Sequence, residues 1–184
     1  MKLMIFDDMA QCTQQEVERL LPLVSAQRRE QALKFKFLFG QFACLKAYEM
    51  LTELLGRVGD RSLTFQFNEH GKPFINGERY FSISHCKQGI AVAVDDKPIG
   101  IDIESVREAD EALIEKTMNP DEAKAIRLSA NPKEAFISFW TKKEAVLKLR
   151  GTGIIDELYD VLSADETVET FINHEKEYVY SIAR

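Results

Sequence analysis

The spacing of apolar positions switches between the strand and the helix period along the chain, and each switch marks a change of element. Leu3 to Phe6 is a short apolar run that predicts a first strand. Thr13, with Glu16 at the capping-box position, predicts a helix through Leu21. Ser25 opens a second helical stretch that runs, with breaks, to about Leu55. Within it Phe42, Leu45 and Glu49, and Ala43, Ala47, Met50 and Leu54, recur at helical intervals, and Gly56 and Gly59 end the run. From Leu63 the period falls to two. Leu63, Phe65 and Phe67 alternate, Asn68-Glu69-His70-Gly71 turns the chain, and Lys72-Pro73-Phe74-Ile75 follows, with Asn76-Gly77 as a hairpin signal. Tyr80 to His85 and Ile90 to Val94 read as strands, and Asp95-Asp96-Lys97-Pro98 turns into a further strand, so the middle predicts an antiparallel meander.

After Glu104 the helical period returns. Asn119-Pro120-Asp121-Glu122 and Asn131-Pro132-Lys133-Glu134 each supply an N-cap, a proline at the first helical position and an acid in the first turn. The second of these helices ends near Gly151. Tyr159 to Leu162, Val168 to Ile172 and Tyr178 to Ile182 are candidate closing strands. Helices, meander, helices, strands: the order predicts an α+β fold, with the possibility of two similar halves.

Composition narrows the classes. The 184 residues, 45% hydrophobic and 29% charged, suit one globular domain or two small ones sharing a core. A net charge of −6 argues against general nucleic-acid binding, though a local basic cluster can still hold an anionic small molecule. Cys12, Cys44 and Cys86 are scattered without C-x-x-C spacing, which fits a reducing cytoplasm. The N-terminal apolar run is too short for a signal peptide, and no stretch reaches the length of a membrane span.

Two stretches carry candidate chemistry. In Pro98-Ile99-Gly100-Ile101-Asp102-Ile103-Glu104 the isoleucines alternate with Gly100, Asp102 and Glu104, so both carboxylates share one strand face. Two like charges held that close need a cation, a proton or open water. A hard divalent ion such as Mg²⁺ suits the pair, and a solvated edge strand is the plain alternative. In Phe136-Ile137-Ser138-Phe139-Trp140-Thr141-Lys142-Lys143-Glu144-Ala145-Val146-Leu147-Lys148, Phe136, Trp140 and Leu147 fall on one side of a helix. Glu144 and Lys148 lie one turn apart, as a surface ion pair would. Lys142, Lys143, Lys148 and Arg150 nevertheless concentrate four cations in nine residues of an acidic protein, where an acid among bases could both ligate a metal and hold phosphates.

Gly71-Lys72-Pro73, Phe81-Ser82-Ile83-Ser84-His85, Ile99-Gly100-Ile101-Asp102-Ile103-Glu104 and Trp140-Thr141-Lys142-Lys143-Glu144-Ala145-Val146-Leu147-Lys148, in that order and spacing, resemble the 4′-phosphopantetheinyl transferases of the larger, single-chain type. The blocks cover less than half of the chain. The resemblance implies two pseudo-symmetric α+β halves, here 1–97 on the nucleotide side and 98–184 with the metal-binding strand and catalytic helix. It implies Mg²⁺-dependent transfer of the phosphopantetheine arm of coenzyme A to a serine of an apo acyl or peptidyl carrier protein, releasing adenosine 3′,5′-bisphosphate. Asp102, Glu104 and Glu144 would hold the metal. Glu144 would also help deprotonate the serine, and Lys148 would stabilise the leaving group. Lys72, Ser84, His85, Lys143, Lys148 and Arg28 would contact the coenzyme, with Lys142 solvated and His70 and His174 uninvolved. A cytoplasmic monomer is expected, with the site between the halves and no role for nucleic acid or membrane.

The N-terminal half departs from the family pattern. Members often place basic residues one turn apart ahead of a phenylalanine, whereas Arg28 is followed by Gln31 before Phe35, and Gly40-Gln41-Phe42-Ala43 stands where an arginine is common. Arg29, Lys34 or Lys46 are the other cations available there. A non-catalytic relative that binds coenzyme A or a carrier protein is the alternative reading, and a metal-dependent phosphoester hydrolase a third.

Overall fold

A computed structural model describes residues 1–153, 158–163 and 165–184. Its two larger sheets each have three strands and share one topology. In the first, β1 (Lys2–Phe6), β4 (Tyr80–Cys86) and β5 (Gly89–Asp95) lie in the order β1-β5-β4; in the second, β6 (Gly100–Ser105), β7 (Val168–Asn173) and β8 (Tyr178–Ala183) lie in the order β6-β8-β7. Each sheet thus puts its last strand in the middle, with all pairings antiparallel. Each also carries its helices between its first and second strands. These are α1 (Gln14–Leu20), α2 (Ala26–Leu33) and α3 (Leu38–Leu54) in the first, and α4 (Glu111–Thr117), α5 (Pro120–Leu128) and α6 (Pro132–Arg150) in the second. This is the α+β fold expected from the chain's order of periods.

Local chemistry sets the helix boundaries where the sequence places them. Thr13 accepts from the Glu16 amide, Ser25 from Arg28, and Asn119 forms a full capping box with Glu122. Asn131 opens α6, and Gly151 at φ +71° closes it in the left-handed conformation that a side chain disfavours.

Three readings of the sequence are corrected. The meander stops at Asp95: β4 and β5 form a hairpin, but β6 leaves that sheet and pairs with β8 instead. Asn76-Gly77 does turn, with Gly77 at φ +77°, yet it joins β3 (Pro73–Phe74) to β4 without pairing them, because β3 pairs with β2 (Gln66–Phe67). Tyr159 to Leu162 is not a strand: Val161–Ser163 is a 3₁₀ turn, and the Val161 side chain is packed under α6 rather than along a sheet.

Strand alternation divides the core. In β5, Ile90, Val92 and Val94 face the cluster built on α3, whereas Ala91 and Ala93 face β6 and β8. Both faces being covered, the strand is apolar throughout. In β4, Phe81 and Ile83 join the α3 cluster, which leaves Ser82 and Ser84 on the other face, toward β6. Ser82 Oγ accepts from the Ile101 amide at 3.0 Å, which satisfies a backbone donor on the edge of the second sheet. Ile101 and Ile103 fill the space between the sheets. Gly100, Asp102 and Glu104 therefore face α6.

Gly100 sets how closely that helix approaches. A Cβ there would lie 1.9 Å from the Ala145 carbonyl oxygen and 2.5 Å from the Leu149 amide, so strand and helix backbones touch. Gly100→Ala is expected to push α6 off β6 at a cost of about 3 kcal/mol or more. Thermal unfolding should show it as a midpoint lower by about 6–12 °C; an unchanged midpoint would contradict the close packing.

Candidate active site

The strand–helix contact places Lys148 over Asp102. Lys148 Nζ lies 2.6 Å from Asp102 Oδ1 and 2.9 Å from Ser84 Oγ, and Ser84 Oγ donates to the same Asp102 oxygen at 2.8 Å. Asp102 is only 3% exposed, which rules out the solvated edge strand. Its second oxygen, Oδ2, is buried with no hydrogen-bond partner. Glu144, one turn before Lys148, and Glu104, two residues after Asp102, share the cleft. Burial first, and the Asp102 charge second, push both carboxyls above the usual carboxylate range.

The cleft, about 440 Å³, is lined by Arg28, Gln31, Ser84, His85, Asp102, Glu104, Trp140, Glu144 and Lys148 among others, with Phe35, Phe65 and Phe67 as aromatic walls. Arg28 is 8% exposed. Its Nε donates to the Cys44 carbonyl at 2.9 Å, one terminal nitrogen to Gln31 Oε1 at 3.1 Å, and its guanidinium carbon lies 4.8 Å from the Phe65 ring centre. Among the described residues it has no carboxylate partner. His85 packs edge-on against Phe39 at 5.6 Å. The cleft walls, and then the Lys148 charge, lower its pKa, so the imidazole is held neutral.

A second cavity, about 470 Å³, adjoins the first and shares Pro73, Ile83, Glu144 and Lys148 with it. Lys72 lines it, its ammonium donating to the carbonyls of Leu149 and Ile99 at 3.3 and 3.4 Å, and burial pulls it below the usual lysine range. His70, which the motifs do not mark, lies on its wall. His174 is exposed, beside Glu134.

Lys143 is a correction. Its side chain is 1% exposed and makes an ion pair with Glu122 at 2.6 Å, and Nζ also donates to the Leu158 carbonyl at 2.7 Å. Helix geometry explains it: Lys143 follows Lys142 by about 100° and precedes Glu144 by the same angle, so Lys142, Lys143 and Glu144 meet the surface, the core and the cleft in turn. Lys142 lies over Phe139 at 5.3 Å. The residues of the cleft that sequence reasoning missed are its aromatic walls and Trp140. Trp140 reads as a core anchor, yet it lines the cleft.

Among the described residues no three His, Cys, Asp or Glu side chains already form a coordination cluster. The donor set nevertheless fits a hard divalent cation. It is all carboxylate oxygen, it includes the orphaned Asp102 Oδ2, and its members repel one another.

A sequence model of the 4′-phosphopantetheinyl transferase superfamily matches residues 98–182. Beyond that region, a 4′-phosphopantetheinyl transferase of Bacillus pumilus, psf-1, is 32% identical over 146 residues, which cover 76% of this chain and 63% of the relative. The transferase Sfp of Bacillus subtilis (strain 168) is 25% identical over 149 residues, 77% of this chain and 66% of that one. HetI of Nostoc is 31% identical over 115 residues, covering 55% and 48%. Residues 98–182 thus match the 4′-phosphopantetheinyl transferase superfamily, and over a longer stretch the chain is similar to its larger single-chain members. It spans less than two thirds of the length of the curated relatives it matches. None of the helices is long and apolar enough to cross a membrane among the described residues.

The buried pair gives a stability prediction. Lys143→Met leaves Glu122 buried and uncompensated and is expected to cost about 3–5 kcal/mol, whereas Lys143→Met with Glu122→Leu recovers most of the loss. Denaturant titration distinguishes the two; equal losses in both would mean that packing, and not charge, dominates.

The crowded carboxylates give another. A carboxyl whose pKa is raised by folding costs stability as pH climbs from its ordinary value through the raised one. At about pH 8 and without divalent cations, Glu104→Gln should therefore melt above the wild type; a lower melting temperature would contradict the repulsion.

Proposed function

We propose that this protein transfers the 4′-phosphopantetheine arm of coenzyme A to a serine of an apo acyl or peptidyl carrier protein and releases adenosine 3′,5′-bisphosphate. The observation that carries the reading is the Lys148–Ser84–Asp102 cluster. It sets an ammonium and an orphaned buried carboxylate oxygen in a cleft large enough for a nucleotide. The superfamily match and the transferase names of the relatives support it.

Charge accounting explains the need for a metal. Besides His85 the cleft is lined by two basic side chains, Arg28 and Lys148, and three acidic ones, Asp102, Glu104 and Glu144. That is an excess of one negative charge, which repels a pyrophosphate. Asp102, Glu104 and Glu144 would hold Mg²⁺. The ion supplies charge neutralisation on the pyrophosphate and lowers the cost of charge gathering on the leaving oxygen.

The chain's own residues do the rest. The serine oxygen forms a bond to the phosphorus that bears the pantetheine, and the bond from that phosphorus to the bridging oxygen of the nucleotide breaks. Glu144 takes the serine proton, directly or through water. Lys148 faces the oxygen that leaves and needs no fixed fork geometry to do so. The neutral His85, and Ser84 once its hydroxyl turns away from Asp102, offer hydrogen bonds to phosphate oxygens, and Arg28 supplies a charged donor in a desolvated wall. Lys72 is left to the second cavity. In this reading residues 1–97 form the nucleotide side and 98–184 the metal strand and catalytic helix, working as a cytoplasmic monomer.

A second reading has one observation in its favour. Lys148 already neutralises Asp102 by direct contact, as it would in a relative that binds coenzyme A or a carrier without turnover. Intact-mass analysis of an apo carrier incubated with the protein, coenzyme A and Mg²⁺ decides between them. The expected result is the gain of one phosphopantetheine, abolished by EDTA and by Glu144→Gln. Coenzyme A binding with no gain on any acyl or peptidyl carrier overturns the transferase reading.

A further inference from the structure

Asn68 lines neither cavity, yet its side chain joins two parts of the chain that the proposed chemistry needs in register. On one side it builds the turn that bears Lys72. Its Oδ1 accepts from the amides of His70 and Lys72 at 3.0 and 2.8 Å, and its own backbone closes the turn with Lys72 and Gly71. On the other side its Nδ2 donates to the Gly151 carbonyl at 2.8 Å, just past the end of α6. Lys72 adds a second tie there through the Leu149 carbonyl.

The physics of a helix end explains why these groups meet. The last carbonyls of α6 have no partners within the helix, and that end carries the negative pole of the helix dipole. The Asn68 amide and the Lys72 ammonium supply donors there, and for Lys72 the structure gives carbonyl partners only, no carboxylate among the described residues. The approach is close: a Cβ on Gly151 would lie 3.1 Å from Asn68 Nδ2 and 3.2 Å from Lys72 Cδ. Gly151 is needed both for its positive φ and for this contact.

Lys148 stands less than one turn before Gly151, and Glu144 one turn before Lys148. Resting on the transferase reading above, we infer that Asn68 is a positioning residue: through Gly151 it fixes the end of α6, and so holds the Lys148 ammonium on Ser84 and Asp102. It contributes to turnover and not to coenzyme affinity.

Asn68→Asp tests this in the full-length protein. The substitution keeps an acceptor for the His70 and Lys72 amides but removes the Nδ2 donor and sets a carboxylate oxygen against the Gly151 carbonyl. The expected kcat falls about tenfold to a hundredfold. The calorimetric affinity for coenzyme A should stay within about threefold of wild type. Amide exchange over Leu147–Gly151 should accelerate by about tenfold, with that of Ile90–Val94 unchanged. Gly151→Ala should reproduce the pattern. A kcat within about twofold of wild type overturns the inference. So does a loss of affinity in step with kcat, or unchanged exchange at the helix end. Should the wild type transfer nothing, the failure belongs to the functional reading. The side-chain ammonium nitrogen resonance of Lys148 then decides: movement in Asn68→Asp supports the positioning role, and an unmoved resonance sinks it.

Discussion

The direct contact between the backbone of β6 and that of α6 governs the whole site. With no Cβ at Gly100, the helix sits close enough for Lys148 to reach Asp102 at 2.6 Å. It also lies close enough for Glu144 to feel the Asp102 charge through a low-dielectric wall. A helix held further out would leave the acidic strand open to water, and its carboxylates would then be ordinary surface charges. Thr141 and Ser181, hydrogen-bonded at 2.8 Å, pin the same helix to the central strand β8. The site is therefore rigid because it is built on packed elements and not on loops.

That rigidity is bought with buried charge. Asp102 has one oxygen satisfied twice and one not at all, and an unsatisfied buried carboxylate oxygen is costly. Arg28 sits in the wall with carbonyl, amide and aromatic partners. The Lys143–Glu122 pair, by contrast, is fully satisfied. Among the described residues two buried carboxylate oxygens lack partners, Asp102 Oδ2 in the cleft and Glu166 Oε2 beside Arg150 outside it; of the two, the Asp102 oxygen stands where a bound ligand can complete its pairing.

Much of this was legible in the sequence, for identifiable reasons. Helix caps at Thr13, Ser25, Asn119 and Asn131 act within four residues, so local spacing reveals them. The alternation of Asp102 and Glu104 predicts their shared face, and the resemblance marks Ser84 and Lys148 for the coenzyme without showing that both touch Asp102. What was not legible depended on partners far along the chain. The departure of β6 from the first sheet is decided by β8, some eighty residues later. Lys143 differs from Lys142 only in what its side of the helix meets, namely Glu122 and the Leu158 carbonyl. Asn68 looks like any turn residue until the end of α6 is placed beside it.

The shared strand order also bears on how the chain acquires its structure. In each sheet the first strand cannot pair until the third exists, because the third lies between the other two: Lys2 waits for Val94, and Gly100 waits for Ala183. During synthesis from the N-terminus the first sheet can close on its helices while the second is still incomplete. Long-range pairing of this kind is slow, since loop entropy is spent before contacts form. The second sheet waits for β8, which follows β6 only after three helices and another strand. The acidic strand therefore stays unpaired until β8 has been made, and the cleft that depends on it is assembled after the first sheet.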